Sequence, residues 1–203
     1  MMRLCVVLVV ALVATAARAA PPGPRDSDWP CQQIKVPQLS LASVWSGAKL
    51  DEQTPWQQDP DVAATVHRVA LRRVPVDQAQ DDIRAFAKQA GDQKRQKLLA
   101  LAVGVFDVLD AERATVVAGL DRFGRRQKQL ADAVRSDNAK LRTLQADPGG
   151  DASEISRMVD QVTWEARVFD ERRQALSYVC DVPAKIEQRL FALAQTIQQE
   201  MQM

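Results

Sequence analysis

Histidine occurs once in this chain, at His67, and that scarcity excludes a good deal. A Ser-His-Asp or Cys-His set needs a histidine oriented beside a nucleophile, and a histidine-built metal site needs more than one ligand. His67, followed by Arg68, reads as a solvated helix residue. No C-x-x-C pair supplies a redox couple or half a zinc site. The eight glycines are scattered, so no glycine-rich phosphate loop forms, and Asp77, Asp81 and Glu112 fit no calcium-loop spacing. Charge of one sign is missing too. The balance of 27 basic and 26 acidic residues sets no global field for nucleic acid. Carboxylate neighbours such as Asp81-Asp82 and Asp170-Glu171 point about 100° apart on a helix and belong to solvated faces. The sequence offers no catalytic set, no metal site and no cofactor motif.

What is present begins at the N-terminus. Met1-Met2-Arg3 precedes an apolar stretch, Leu4 to Ala14, too short at about 16 Å to span a bilayer as a helix. Ala17-Arg18-Ala19 has the small-x-small form of a cleavage site, so residues 1–19 read as a secretory signal cut after Ala19. Cleavage removes Arg3 and Arg18, leaves a formal charge of −1, and leaves two of the three cysteines, Cys31 and Cys180. In an exported chain, these two are expected to form one disulfide. The Ala- and Arg-rich text looks bacterial, so the expected location is the periplasm; composition does not separate it from the medium beyond the cell.

Residues 20–59 read as an extended arm. Pro21, Pro22, Pro24, Pro30, Pro37 and Pro55 oppose helix, yet the segment carries Trp29, Trp45 and Trp56, with Leu39, Leu41 and Val44 among them. The tryptophans either cover a small core or present an aromatic partner site.

Helical signals start at Asp59-Pro60, a capping carboxylate with proline at the first helical position. Val62, Val66, Val69 and Ala70 form one face, and Pro75 closes that helix. A second, from about Asp77, turns Ala79, Ile83, Phe86, Ala87 and Ala90 inward and stops at Gly91. From Asp92 no proline occurs until Pro148. The stretch Leu98 to Phe106 is apolar nearly all round and needs neighbours on several sides. Beyond it Leu120, Phe123, Gln127, Leu130, Val134, Asp137, Leu141 and Leu144 step by threes and fours, a coiled-coil seam with polar interruptions. Asp147-Pro148-Gly149-Gly150-Asp151 breaks the helix. A second seam follows: Ile155, Met158, Val162, Ala166, Phe169, Arg173, Leu176, Cys180. Pro183 imposes a bend, after which Ile186, Leu190, Leu193, Ile197 and Met201 continue.

Folding the chain at the Pro-Gly-Gly turn sets residue i opposite about residue 297 − i. Leu190, Phe191, Leu193 and Ile197 then meet the apolar stretch. Residues 126–146 carry five bases and two acids, whereas 151–171 carry six acids and two bases, which suits antiparallel neighbours. The expected fold is all-α: a long antiparallel coiled-coil hairpin on a small helical-bundle base, wrapped by the arm. In residue terms, 60–203 is the helical domain, with base 60–120 and 181–203 and stalk 121–180, turning at 147–151. A Cys31–Cys180 bridge would tie the arm to the junction of base and stalk. Arg122, Arg125 and Arg126, with Lys128 nearby, form a basic face that either binds an anionic partner or pairs with the acidic return arm.

Asp28-Trp29-Pro30-Cys31-Gln32, the stretch Leu39-Ser40-Leu41-Ala42-Ser43-Val44-Trp45-Ser46-Gly47 and Tyr178-Val179-Cys180 resemble an uncharacterised group of exported bacterial helical proteins. The resemblance covers most of the mature chain and implies no activity, ligand or cofactor. The expected function is that of a non-enzymatic periplasmic interaction protein, an adaptor or accessory factor holding a protein partner. Nucleic acid and a membrane span in the mature form are not expected, and the seams permit a homodimer. The candidate partner-binding residues are Trp29, Trp45, Trp56, Arg122, Arg125 and Arg126. The competing expectation is a small-molecule or cofactor carrier with a pocket between arm and base.

Overall fold

The structure is a computed structural model that describes residues 28–203. The expected signal segment, its cleavage point after Ala19 and the first residues of the arm lie outside that range. Regular structure among the described residues is entirely helical, in five α-helices: α1 (Pro60–Ala70), α2 (Val76–Gln89), α3 (Lys94–Ala146), α4 (Ala152–Cys180) and α5 (Val182–Gln202), with three single 3-10 turns.

Local chemistry explains the boundaries. The Asp59 carboxylate accepts from the Asp61 and Val62 amides, with Pro60 at the first turn of α1. Pro75 stands immediately before α2 rather than at the end of α1, which stops at Ala70. Gly91, φ +52°, takes the left-handed backbone that ends α2. Helix α3 then runs for 53 residues, about 80 Å. Asp151 caps α4 by accepting from the Ser153 amide. Only Asp181 separates α4 from α5, because Pro183 has no amide to continue the ladder.

The core lies where α1, α2, α5 and the N-terminal part of α3 meet. Leu98, Leu101, Val103, Val105 and Leu109 of α3 pack with Val62, Val66 and Val69 of α1, Ile83 and Phe86 of α2, and Ile186, Leu190, Leu193 and Ile197 of α5. The apolar-all-round stretch is buried from Leu98 to Gly104 apart from Leu99, as a helix with neighbours on several sides should be. Phe191 is a correction. Expected to face this stretch, it is 48 % exposed, because it lies one position off the 186, 190, 193, 197 row and turns about 100° away.

Arg189 of α5, 6 % exposed, donates through Nε to the Val69 carbonyl at 3.0 Å and through Nη1 to the Val74 carbonyl at 2.8 Å. It thereby satisfies a C-terminal carbonyl of α1 and one in the loop that follows. Burial lowers the pKa of its guanidinium, partly offset by Glu112.

Past the core, α3 and α4 lie side by side in opposite directions. Gln127 donates to the Phe169 carbonyl at 2.8 Å, Gln161 donates to Asp137 at 2.8 Å, and Arg113 meets Glu187 of α5. Arg173 departs from the seam: it faces solvent and pairs with Asp170 of its own helix at 3.4 Å. No helix among the described residues is long and apolar enough to cross a membrane.

Candidate functional site

The arm builds the most specific feature of the surface. Its path follows α3 from the middle of that helix back toward the core. The Asp28 carbonyl lies directly on Gly124, where a β-carbon would come within 1.8 Å of it, and Pro30 lies just beyond. Lys128 pairs with Asp28 at 3.6 Å, and Lys35 with Asp121 at 2.9 Å. Arg113, 2 % exposed, donates from Nη2 to the Val36 carbonyl at 2.8 Å and from Nε to Glu187 at 2.5 Å, so one side chain joins arm, α3 and α5. Ser46 donates to Gln198 at 3.2 Å, and Leu39, Val44, Trp45 and Leu50 pack against the core. Cys31 and Cys180 form a disulfide, Cα to Cα 5.6 Å, closing a sequence separation of 149 residues. The bridge joins the arm to the last residue of α4, the expected Cys31–Cys180 pairing.

The three arm tryptophans have different surroundings. Trp56 is a core residue. It is 5 % exposed, donates from Nε1 to Asp107 at 2.9 Å, stands edge-on to His67 at 5.6 Å, and packs over Gly104. It is therefore withdrawn as a partner-binding candidate: the ring is consumed by folding. Trp45, half-buried, donates to the Ala48 carbonyl at 2.7 Å. Trp29, also half-buried, donates to the Gln33 carbonyl at 2.7 Å beneath Lys35. Each closes a local turn and keeps one ring edge in solvent.

Arg122, Arg125 and Arg126 are exposed, and among the described residues none has an ion-pair partner. The expected pairing with acids of α4 does not form among the described residues. His67 is solvent-exposed on α1, as read. Asp81 pairs with Arg84 at 2.7 Å, and Asp82 with Arg68 at 3.1 Å. Among the described residues no three His, Cys, Asp or Glu side chains are grouped to hold a metal ion.

Two open grooves flank the arm. One, of about 480 Å³, runs between residues 54–62 and α3, where Lys97 bridges Asp59 at 3.2 Å and Asp61 at 3.1 Å. The pKa of Asp59 is lowered, chiefly by the Val62 amide, and that of Lys97 is raised by Asp61 and Asp59. The other, of about 430 Å³, lies over the disulfide between residues 30–33 and Arg173, Leu176 and Ser177.

Comparison of the chain with protein-family models, curated proteins and solved structures gives no match.

Sequence reasoning missed two features. Gly124 and Gly104 are glycines inside a helix, each costing about 1 kcal/mol against alanine, which is a signal of close approach. Both carry a segment of the arm. Trp164 and Tyr178 on α4 are 64 % and 79 % exposed. Their signal is position: Trp164 lies two residues past the seam residue Val162, about 200° round the helix.

Proposed function

We propose that this chain is a non-enzymatic, exported interaction protein of the periplasm. In this reading α3 and α4 form an antiparallel coiled-coil hairpin, projecting as a stalk from the helical base to hold a protein partner. The observation that carries the reading is where burial stops. Beyond Leu120 the fully buried positions of α3 are Gly124, Gln127 and Asp137, and α4 adds Val162. About 40 Å of paired helix therefore serves very little core and a great deal of surface. Opposing net charges on the two arms and a polar seam suit a stalk that stays solvated and does not collapse onto the base. The exposed Arg122, Arg125 and Arg126 give it an anionic-partner face. Export by a signal cut after Ala19 supplies the oxidising compartment that the bridge requires.

The test shortens the stalk without touching the arm's seat. Residues 131–166 are replaced by a two-glycine turn, leaving Gly124, Lys128 and Cys180 in place. The intact protein should retain partners from a periplasmic extract that the shortened form loses. Identical partner sets for the two would refute a stalk-borne interaction. The groove beside Trp56 favours a second reading, a small-molecule carrier. A ligand seated there would change the emission of Trp56, and silence against a panel of periplasmic metabolites would remove that reading.

A further inference from the structure

The outer face of α4 carries a second heptad row. Trp164, Val168, Glu171, Ala175 and Tyr178 follow one another by four, three, four and three residues, the spacing of a coiled-coil seam. This row lies on the side of α4 away from Val162 and α3. Trp164 and Tyr178 are largely exposed, Glu171 and Ala175 are exposed, and Val168 is half-buried. A single solvated helix does not ordinarily keep a tryptophan and a tyrosine on one outward row. Cys180 stands about 160° round α4 from Tyr178, so the disulfide leaves the row itself open, and Asp181 borders the groove that residues 30–33 form over the disulfide.

We propose that the row is a self-association surface and that its occupant is α4 of a second copy of this chain, packed antiparallel. Charge and size select that occupant. In an antiparallel coil the two row positions of the heptad face one another in turn. That register sets Val168 against Tyr178 of the second copy and Glu171 against its Ala175, and brings Trp164 to the C-terminal end of its α4. Small meets large in the central layers, and Glu171 avoids its own symmetry mate. The flanking positions then place Arg167 opposite Asp181 of the second copy, twice by symmetry. Both residues are exposed, and neither has an ion-pair partner among the described residues. A parallel pair would instead set Glu171 against Glu171 in its centre. This inference goes beyond the stalk's role in holding another protein and does not depend on it.

The row is about 21 Å long, which makes a small interface and a concentration-dependent dimer. Sedimentation velocity on the disulfide-bonded protein from about 1 to about 100 μM should show monomer giving way to dimer. Trp164→Glu should weaken the dimer more than about tenfold. Its helix content and melting temperature should stay close to those of the parent, because the side chain is 64 % exposed. Arg167→Asp should weaken it as well, and Arg167→Asp combined with Asp181→Arg should restore it. A monomer throughout the range, or a dimer indifferent to Trp164→Glu, overturns the proposal. So does failure of the double charge swap to recover what the single change lost, since that denies the antiparallel arrangement.

Discussion

Replacing Gly124 with alanine sets two well-understood effects against each other. A glycine inside a helix costs about 1 kcal/mol relative to alanine, so the substitution stabilises α3 taken alone. The added β-carbon, however, would stand 1.8 Å from the Asp28 carbonyl oxygen, 3.0 Å from its carbon and 3.2 Å from Pro30 Cδ. Carbon–oxygen contacts settle at about 3.3–3.6 Å, so the arm must lift by roughly 1.5 Å. Cys31 follows Pro30 directly and is bonded to Cys180, so the arm cannot simply leave. Overpacking against a held segment costs about 1–3 kcal/mol, enough to outweigh the helix gain. The expected result in the disulfide-bonded protein is a net loss of about 1–2 kcal/mol, a melting temperature lower by roughly 2–8 °C. Gly119 supplies the control. A β-carbon there meets only Arg122 Nη2, at 3.8 Å, so Gly119→Ala should stabilise by up to about 1 kcal/mol. With Cys31 and Cys180 both changed to serine, the arm can detach, and Gly124→Ala should turn stabilising. Thermal and urea unfolding followed by circular dichroism reads all of these. Equal signs for Gly119→Ala and Gly124→Ala in the bridged protein would refute the arm's seat on Gly124.

Three further outcomes follow from the same geometry. Removing the disulfide through both serine substitutions should cost up to about 5 kcal/mol, the closure entropy of so long a loop, while helix content holds. Limited proteolysis should then cut between residues 28 and 59, and an arm still resistant would contradict the bridge's anchoring role. Asp59→Ala should cost about 1 kcal/mol at neutral pH by removing the α1 cap. Because the Asp59 pKa is depressed in the folded state, its stabilisation is present above the unfolded value near 4 and fades as pH falls through the folded one. The two proteins should therefore converge in acid, and a constant gap down to low pH would exclude the carboxylate as its source. Arg189→Met keeps the aliphatic stem but strands the Val69 and Val74 carbonyls, so urea denaturation should register a loss of about 2–4 kcal/mol. A loss under about 0.5 kcal/mol would mean those carbonyls find other donors.

The helices were legible where single residues dictate backbone chemistry. Asp59-Pro60, Gly91, Pro148-Gly149-Gly150 and Pro183 each mark a break through a missing amide, a side-chain cap or a left-handed φ, and such signals act locally. The cysteine pairing was legible by elimination. Contacts that depend on what arrives from elsewhere were hidden. Nothing near Gly124 in sequence announces Asp28, and nothing near Arg189 announces Val69. The sequence left the arm tryptophans as either a cover over a small core or a partner site; Trp56 is of the first kind, packed over the small residue Gly104. Phe191 failed in the opposite way: it is apolar beside a core row yet one step out of phase with it. Arg122, Arg125 and Arg126 lie within two turns of α3, but the charge balance between the two arms could not say whether they would pair across it.

The constraints placed by the arm are concentrated rather than spread. Arg113, Asp121, Gly124 and Lys128 occupy about four turns of α3, past the end of the core at Leu109. Across from them is the one place where the second long helical segment loses continuity, at Asp181. A paired helix with so little buried apolar surface draws little stiffness from packing, and a break in its ladder is where it yields first. The disulfide bonds the arm to Cys180, immediately before that break, while Arg113 ties the same arm to Glu187, in the second turn of α5 after it. The arm therefore spans the discontinuity with a covalent bond to the end of α4 on one side and, on the other, the buried Arg113 side chain that also pairs with the half-exposed Glu187 of α5.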